Sequence, residues 1–493
     1  MPGMQQVETP VRENNSPQAA ASAAQDAYQF LSRNDTSHKT IADRYQILAR
    51  AYLDCWRGSP HLHGGVYSHL RYSREWLQAA TRNQIFSVVP ANSLKATENG
   101  RQLNPMISRS IAIIGGGPSG ALCAERLASA GLNVCLFDDH LAWEKPCGGG
   151  LTHKALCAYP FLLDNRHPKK LIRQAELISP HGERALLPLH HPIAIYSRTV
   201  LNGLLLERAE RAGCRIVRSR VSSLELNGNS ASFNAQNMTH HADFLVLAAG
   251  ARNSFFPDTQ PFTPSDLELT IGYFIPTRAE GIQVKFVRGL QGYIWSFPRC
   301  DHLSVGICGS MARHTSRELH NYLDQFTCAE RISLHGAEFY SHVLPSPRAQ
   351  TLAKRRVAGP NWALIGDAAG WVDPITGEGL YYALRSGELL AESLIAGKPE
   401  VYPRRVRDDF AADLEIAARI ADNFYHGRFL GGAVTTRMIQ FVHRSATFRA
   451  IVADLFSGSQ KYATLKRRVW SQLATTLAEV FASHFRAAES TAS

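Results

Sequence analysis

Four apolar residues, Ile111-Ala112-Ile113-Ile114, run straight into the cluster Gly115-Gly116-Gly117-Pro118-Ser119-Gly120. An amphipathic run follows, with Ala121, Leu122, Ala124, Leu127 and Ala128 on one face. The pattern predicts strand, tight turn, helix. In G-x-G-x-x-G spacing, Gly115 permits the turn, Gly117 admits a pyrophosphate to the backbone, and Gly120 lets helix and strand pack closely. Pro118 and Ser119 open the helix, whose free N–H groups and positive end favour phosphate. A second predicted strand over 133–137 ends in Asp138, 18 residues past Gly120, where a carboxylate accepts hydrogen bonds from ribose hydroxyls. A glycine turn alone is common in α/β domains. Strand, helix, second strand and terminal acid in one unit specify a dinucleotide site.

The 493 residues leave room for two or three domains with substantial cores. A chain 45% apolar and 19% charged is globular, neither disordered nor membrane-embedded. No run reaches the roughly 18 apolar residues of a transmembrane helix, and no charged-then-apolar leader is visible. Nine cysteines, scattered and odd in number, predict reduced thiols and a cytoplasmic chain. A net charge of +11 suits an anionic partner or simple solubility.

Residues 1–105 read as an N-terminal extension, disordered at first and then helical. His61, His63 and His69 lie there without Cys or carboxylate at ligand spacing, so no metal site is expected. The dinucleotide domain is expected over 106–170, 196–261 and 351–400. Beyond Asp138 comes Lys145-Pro146-Cys147-Gly148-Gly149-Gly150, a backbone nearly bare of side chains and suited to a flat ligand. Alternation over 170–195, broken at Pro180-His181-Gly182-Glu183, predicts a hairpin. Arg198 precedes a predicted helix over 200–212. A buried strand over 243–248 ends in Ala249-Gly250, small residues that suit a cofactor edge.

Residues 171–195 and 262–350 read as an antiparallel-sheet domain for the substrate. Within it Tyr293, Trp295 and Phe297 fall at period two and share a face, either as core or as a pocket wall. A further strand over 362–365 runs into Gly366-Asp367, and Gly377-Glu378-Gly379 opens a helix over 380–396. This is a second strand–loop–helix cradle, with Asp367 suited to the hydroxyls of a polyol chain. Residues 401–493 read as helical. Leu465, Val469, Trp470, Leu473, Leu477, Val480 and Phe481 form a stripe there that packs on the body or, alternatively, lies on an anionic membrane surface.

These pieces, from about Met106 to Leu473, resemble the para-hydroxybenzoate-hydroxylase-like flavoproteins, the group that includes flavin-dependent halogenases and geranylgeranyl reductases. The Pro146-Cys147-Gly148-Gly149-Gly150 loop is similar to a motif of the geranylgeranyl reductases, as is Tyr293-Ile294-Trp295-Ser296-Phe297-Pro298. Leu455-Phe456-Ser457-Gly458 and Tyr462 resemble their C-terminal segment. Halogenases carry Trp and Ile where Tyr293 and Phe297 stand, which argues against halogenation. The resemblance implies an α/β fold with an added antiparallel sheet: a Rossmann-like FAD domain of glutathione-reductase type, a β-sheet substrate domain and a helical C-terminal region. It implies FAD on Gly115, Gly117, Gly120 and Asp138, with Arg198 along the cofactor and the ribitol and pyrophosphate at Gly366-Asp367. It implies a C=C reductase acting on a prenyl chain, supplied with electrons by NAD(P)H or ferredoxin. Tyr293 and Trp295 would wall the pocket. Cys147 is either the proton donor or its positioner, or merely a small residue in a tight loop. The substrate would be a hydrophobic small molecule or lipid, reached through peripheral membrane contact, with no nucleic acid partner. The rival readings are an oxygen-using monooxygenase or halogenase and a non-catalytic flavin-binding partner protein.

Overall fold

The computed structural model describes residues 109–228, 230–252, 255 and 261–491. The expectations for residues 1–105, including the three histidines, lie outside these. Strand β1 (Ser110–Ile114) is buried along its apolar length, as a strand covered on both faces of a parallel sheet must be. Helix α1 (Pro118–Ser129) follows, then β2 (Asn133–Asp138). A two-residue strand β3 (Gly150–Leu151) precedes the hairpin β4 (Lys170–Ile178) and β5 (Arg184–Ile195). Its turn holds Gly182 at φ 88°, as the Pro-His-Gly-Glu signal predicted. Helix α2 (Arg198–Arg211) returns the chain to β6 (Arg215–Arg218).

A meander of β7 (Val221–Asn227), β8 (Ser230–Ala235) and β9 (Met238–Ala242) comes next, then β10 (Phe244–Leu247). The sheet domain contributes β11 (Leu267–Ile275), β12 (Ile282–Lys285), β13 (Ile294–Pro298), β14 (Leu303–Ser310), helix α3 (Ser316–Ala329) and β15 (Glu338–Pro345). The chain then re-enters the first domain through β16 (Trp362–Leu364) and α4 (Leu380–Ile395). Helices α5 (Ala412–His426), α6 (Val434–Arg444), α7 (Ala446–Phe456), α8 (Tyr462–Ser471) and α9 (Leu473–Thr491) form the C-terminal region.

The central sheet is parallel, in the order β16-β10-β1-β2-β6. Its strand ends bring both cradles to one edge, the place where ligands bind in open α/β sheets. Helices α1 and α4 cross closely because Gly387 has no side chain; a Cβ there would fall on the Ser119 carbonyl. The Glu125–Arg208 pair ties α1 to α2.

The second sheet has the order β15-β11-β14-β13-β12-β4-β5-β3. It departs from the all-antiparallel expectation at one seam, where β12 pairs with β4 in parallel. The β4–β5 hairpin precedes β12 by a long stretch of chain, so no tight turn dictates the direction of that pairing. Helix α3 is also an addition to what alternation predicted, and its Thr315–Glu318 capping box is the signal that marks it. The C-terminal region is helical except for a two-residue ribbon pairing Arg428–Phe429 with Gly432–Ala433. The predicted stripe packs in part: Leu465 joins an apolar cluster with Ala417 and Tyr462, whereas Phe481 is 47% exposed.

Candidate active site

Both cradles open on one cavity of about 320 Å³ between the two sheets. Gly115, at φ 109°, makes the turn after β1, and its N–H donates to Phe137 O at 2.8 Å. A Cβ on Gly117 would meet nothing within 4 Å, so this backbone is bare toward the cavity. Pro118 and Ser119 line the same wall. Gly120 and Gly366 lie behind the cavity wall rather than on it. A Cβ on Gly120 would fall on the Gly115 carbonyl, and one on Gly366 would sit 2.7 Å from Ser119 Oγ. They bring the two cradles together from behind. Asp138 closes the far end, accepting from the N–H of Gly116 at 2.5 Å and of His140 at 2.7 Å.

Three cations converge where the cradles meet. Lys145 Nζ pairs with Asp367 Oδ2 at 2.8 Å. Burial by itself would raise the Asp367 carboxyl, but Lys145, His342 and Arg198 hold it below the usual carboxylate range. Burial, then Lys145, Arg252 and Arg198, push His342 down to about 3, so its imidazole is neutral. Arg198 is buried, and its Nε has no hydrogen-bond partner among the described residues. One carboxylate against three cations leaves a positive field beside Ala249 and Gly250, both on the cavity wall. An orphaned guanidinium N–H, a bare glycine backbone and this field fit a bound diphosphate.

The Cys147–Gly150 loop is held from beneath by Arg299, which is fully buried. Arg299 bonds Glu144 and the Cys147 carbonyl, and Ser304 Oγ donates to the same carbonyl at 3.1 Å. Glu144 in turn accepts from Ser197 Oγ and from the N–H groups of Arg198 and Thr199 at the start of α2. Cys147 faces the cavity, and its Sγ accepts from the Gly149 N–H at 3.1 Å. A Cβ on Gly148 would come within 2.8 Å of the Phe297 ring, and Gly149 needs its positive φ of 77°.

Tyr293, Trp295 and Phe297 all line the cavity, so the period-two face is a pocket wall; Trp295 is also core, packed with Cys308 and Tyr340. The Tyr293 hydroxyl donates to Thr376 O at 2.6 Å, in the loop that carries Gly377 and Gly379 to the start of α4. Two further tyrosines hold this loop from the helical region. Tyr425 on α5 donates to Ile375 O at 2.7 Å, and Tyr462 on α8 donates to Asp373 Oδ2 at 2.8 Å. Phe456, at the end of α7, reaches the cavity itself.

Residues 113–144 match the NAD(P)-binding Rossmann-like domain model. The chain is 27% identical over 358 residues to the chloroplastic geranylgeranyl diphosphate reductase of Oryza sativa subsp. japonica, covering 63% of this chain and 74% of the rice protein. Its fold matches a geranylgeranyl bacteriochlorophyll reductase-like structure from Thermoplasma acidophilum, with TM-score 0.60, 20% identity, and 74% and 98% of the two chains covered. It also matches a flavin-dependent brominase, with TM-score 0.56, 17% identity, and 74% and 99% covered. The chain is thus similar in sequence to geranylgeranyl diphosphate reductases and shares its fold with a geranylgeranyl reductase-like protein and a flavin-dependent brominase. It is a flavin-dependent oxidoreductase.

Several cavity residues of this flavoprotein escaped the sequence reading. Glu268 and Thr270 on β11 face the cavity, although alternation in an isolated strand cannot say which face is buried. Glu378, half-buried, takes a hydrogen bond from Thr152 Oγ1 at 2.6 Å, and desolvation pushes its carboxyl up to about 7. His342 and Tyr425 sit on elements with no motif to mark them. Among the described residues no cluster suited to a metal ion occurs, and no helix is long and apolar enough to cross a membrane.

Proposed function

We propose that this flavoprotein binds FAD and reduces isolated C=C bonds of a prenyl chain. The observation that carries the reading is the meeting, in one cavity, of both cradles, the Cys147–Gly150 loop and the Tyr293–Trp295–Phe297 wall. On this reading Gly115, Gly117, Pro118 and Ser119 hold the diphosphate together with Lys145 and Arg198. Asp138 meets the adenosine ribose, and Asp367 meets the ribitol chain. Gly148, Gly149, Ala249, Gly250, Gly377 and Gly379 give flat backbone to the ring system, and the N-terminus of α4 stabilises negative charge on it.

When bound and reduced, the flavin supplies a hydride to one alkene carbon. The chain has to supply the rest. An isolated alkene carries no carbonyl to polarise, so positioning in a dry pocket supplies much of the rate. Tyr293 and Trp295 provide rigid apolar area for that purpose. Cys147, with Sγ accepting from Gly149 N–H, keeps the loop tight against the cofactor. Electrons arrive from NAD(P)H or ferredoxin. The substrate is a hydrophobic small molecule or a lipid met at a membrane surface by a cytoplasmic protein, which suits the net charge of +11.

Likeness to a brominase supports a second reading, oxygen-dependent hydroxylation or halogenation. Anaerobic reduction of the yellow protein followed by a geranylgeranylated substrate separates the two. The expected product gains two hydrogens for each bond reduced, by mass. Product that appears only in oxygen, carrying added oxygen or halogen, overturns the reductase reading.

A further inference from the structure

Glu268 is a buried acid with no cation beside it among the described residues. It lies on β11, where Thr270 pairs with Cys308 of β14 and His342 of β15, and Glu268 itself pairs with Leu344. All five side chains line the cavity, on the sheet face that also carries Trp295 and Phe297. Glu268 is 8% exposed. The polar groups that act on its carboxyl are the Ser346 hydroxyl and the Cys308 thiol, and no lysine or arginine among the described residues offsets its charge. By contrast, Glu125 has Arg208, Glu415 has Arg419 and Asp367 has Lys145, while Asp373 accepts from the Tyr462 hydroxyl and the N–H groups of Ile375 and Thr376. Two residues along, Thr270 Oγ1 is fully buried with no partner among the described residues.

The titratable groups that act on Glu268 from the surrounding elements are Cys308, Tyr293 and Tyr425, none of them a cation. An unpaired carboxylate in such a place is costly, and the neutral acid is favoured. The other acids of the cavity are engaged: Asp367 by Lys145, Glu378 by the Thr152 hydroxyl and the charge of Lys154, Asp373 by the Tyr462 hydroxyl, Asp138 by two backbone N–H groups, and the Cys147 sulfur by the Gly149 N–H.

We propose that Glu268 is the proton donor of the alkene reduction. The inference rests on the reductase reading above. Its carboxyl O–H breaks as a new C–H bond forms at one alkene carbon, while the hydride from reduced flavin forms the C–H bond at the other. The π bond is lost, the flavin is oxidised by two electrons, and the carboxylate regains its proton from solvent. Burial pushes the Glu268 carboxyl up to about 6, so the acid form is present near neutrality and is depleted as pH rises. This is the range in which a general acid is effective.

Glu268→Gln tests the role, since Gln keeps the shape and removes the acid. Anaerobic single turnover of the FAD-loaded variant is expected to slow by about 100-fold or more, with flavin content unchanged and the fall in rate above about pH 6 abolished. In Glu268→Ala, added formate is expected to restore part of the rate. A second readout needs no substrate. The infrared difference spectrum between acid and alkaline pH is expected to contain a carboxylic C=O band that Glu268→Gln lacks. Wild-type rate and pH profile in Glu268→Gln, or the absence of that band from the wild-type protein, overturns the proposal. So does a Cys147→Ala variant that takes over the rate loss and the pH dependence. A wild-type protein that reduces no prenyl alkene overturns the reductase reading itself, and is thereby told apart from failure of Glu268 alone.

Discussion

The three glycines of the first cradle do different work, and single methyl groups separate them. Gly117 borders open space, so Gly117→Ala is expected to leave the melting temperature of the flavin-free protein within experimental error. Flavin affinity should nonetheless fall, because the new methyl takes the place of a phosphate oxygen. Gly120→Ala drives a Cβ into the Gly115 carbonyl, an overpacking that costs about 1–3 kcal/mol. Calorimetry and flavin titration on the two variants check this split, and equal destabilisation by both would refute it. The sequence spoke clearly here because a glycine signature is a backbone constraint, readable without tertiary context. Glu268 was silent for the opposite reason. A lone Glu within Leu267-Glu268-Leu269-Thr270 reads as the solvent side of a strand, and only the stacking of the sheet against the cofactor domain buries that side.

At the level of elements, the loop before α4 is fastened by three hydroxyls, from the residue preceding β13 and from α5 and α8. Tyr462→Phe deletes a buried hydrogen bond to Asp373, whose carboxyl burial pushes up. The expected loss is about 1.5–3 kcal/mol, the range for a bond to a charged group, with weaker flavin binding in the same titration. An unchanged flavin affinity would show that α8 does not hold the loop. The resemblance in the C-terminal segment drew attention to Tyr462, but its partner Asp373 lies in another domain's loop and could not be read from spacing. Other elements were hidden by composition. The meander over 221–242 is built from Ser, Asn, Thr and His, which carry no strong strand pattern. The parallel cradle units and the hairpin turn were legible because periodicity and turn residues agreed there.

For the whole molecule, the buried acids of the cavity set a pH signature. Glu268 binds its proton more tightly when folded, at about 6, than an ordinary carboxyl does. Its contribution is therefore full below the unfolded carboxyl value and is lost as pH rises through about 6. His342, held down to about 3, works in the other direction, losing stability as pH falls below the usual imidazole value. Comparison with Glu268→Gln isolates the first effect. Denaturant titrations of wild type and variant are expected to diverge by about 1 kcal/mol between pH 5 and pH 8, the variant gaining at the alkaline end. A constant difference would mean that Glu268 ionises as a surface acid does. The division of the cofactor domain along the chain has a consequence for how the protein is made. The first glycine loop leaves the ribosome long before β16, Asp367 and Tyr462 exist, with the whole second sheet still to be synthesised between them. A nascent chain thus exposes half a cradle and waits. On the proposed reading, a chain stalled ahead of Tyr462 is expected to emerge without bound flavin, and its absorbance spectrum checks this.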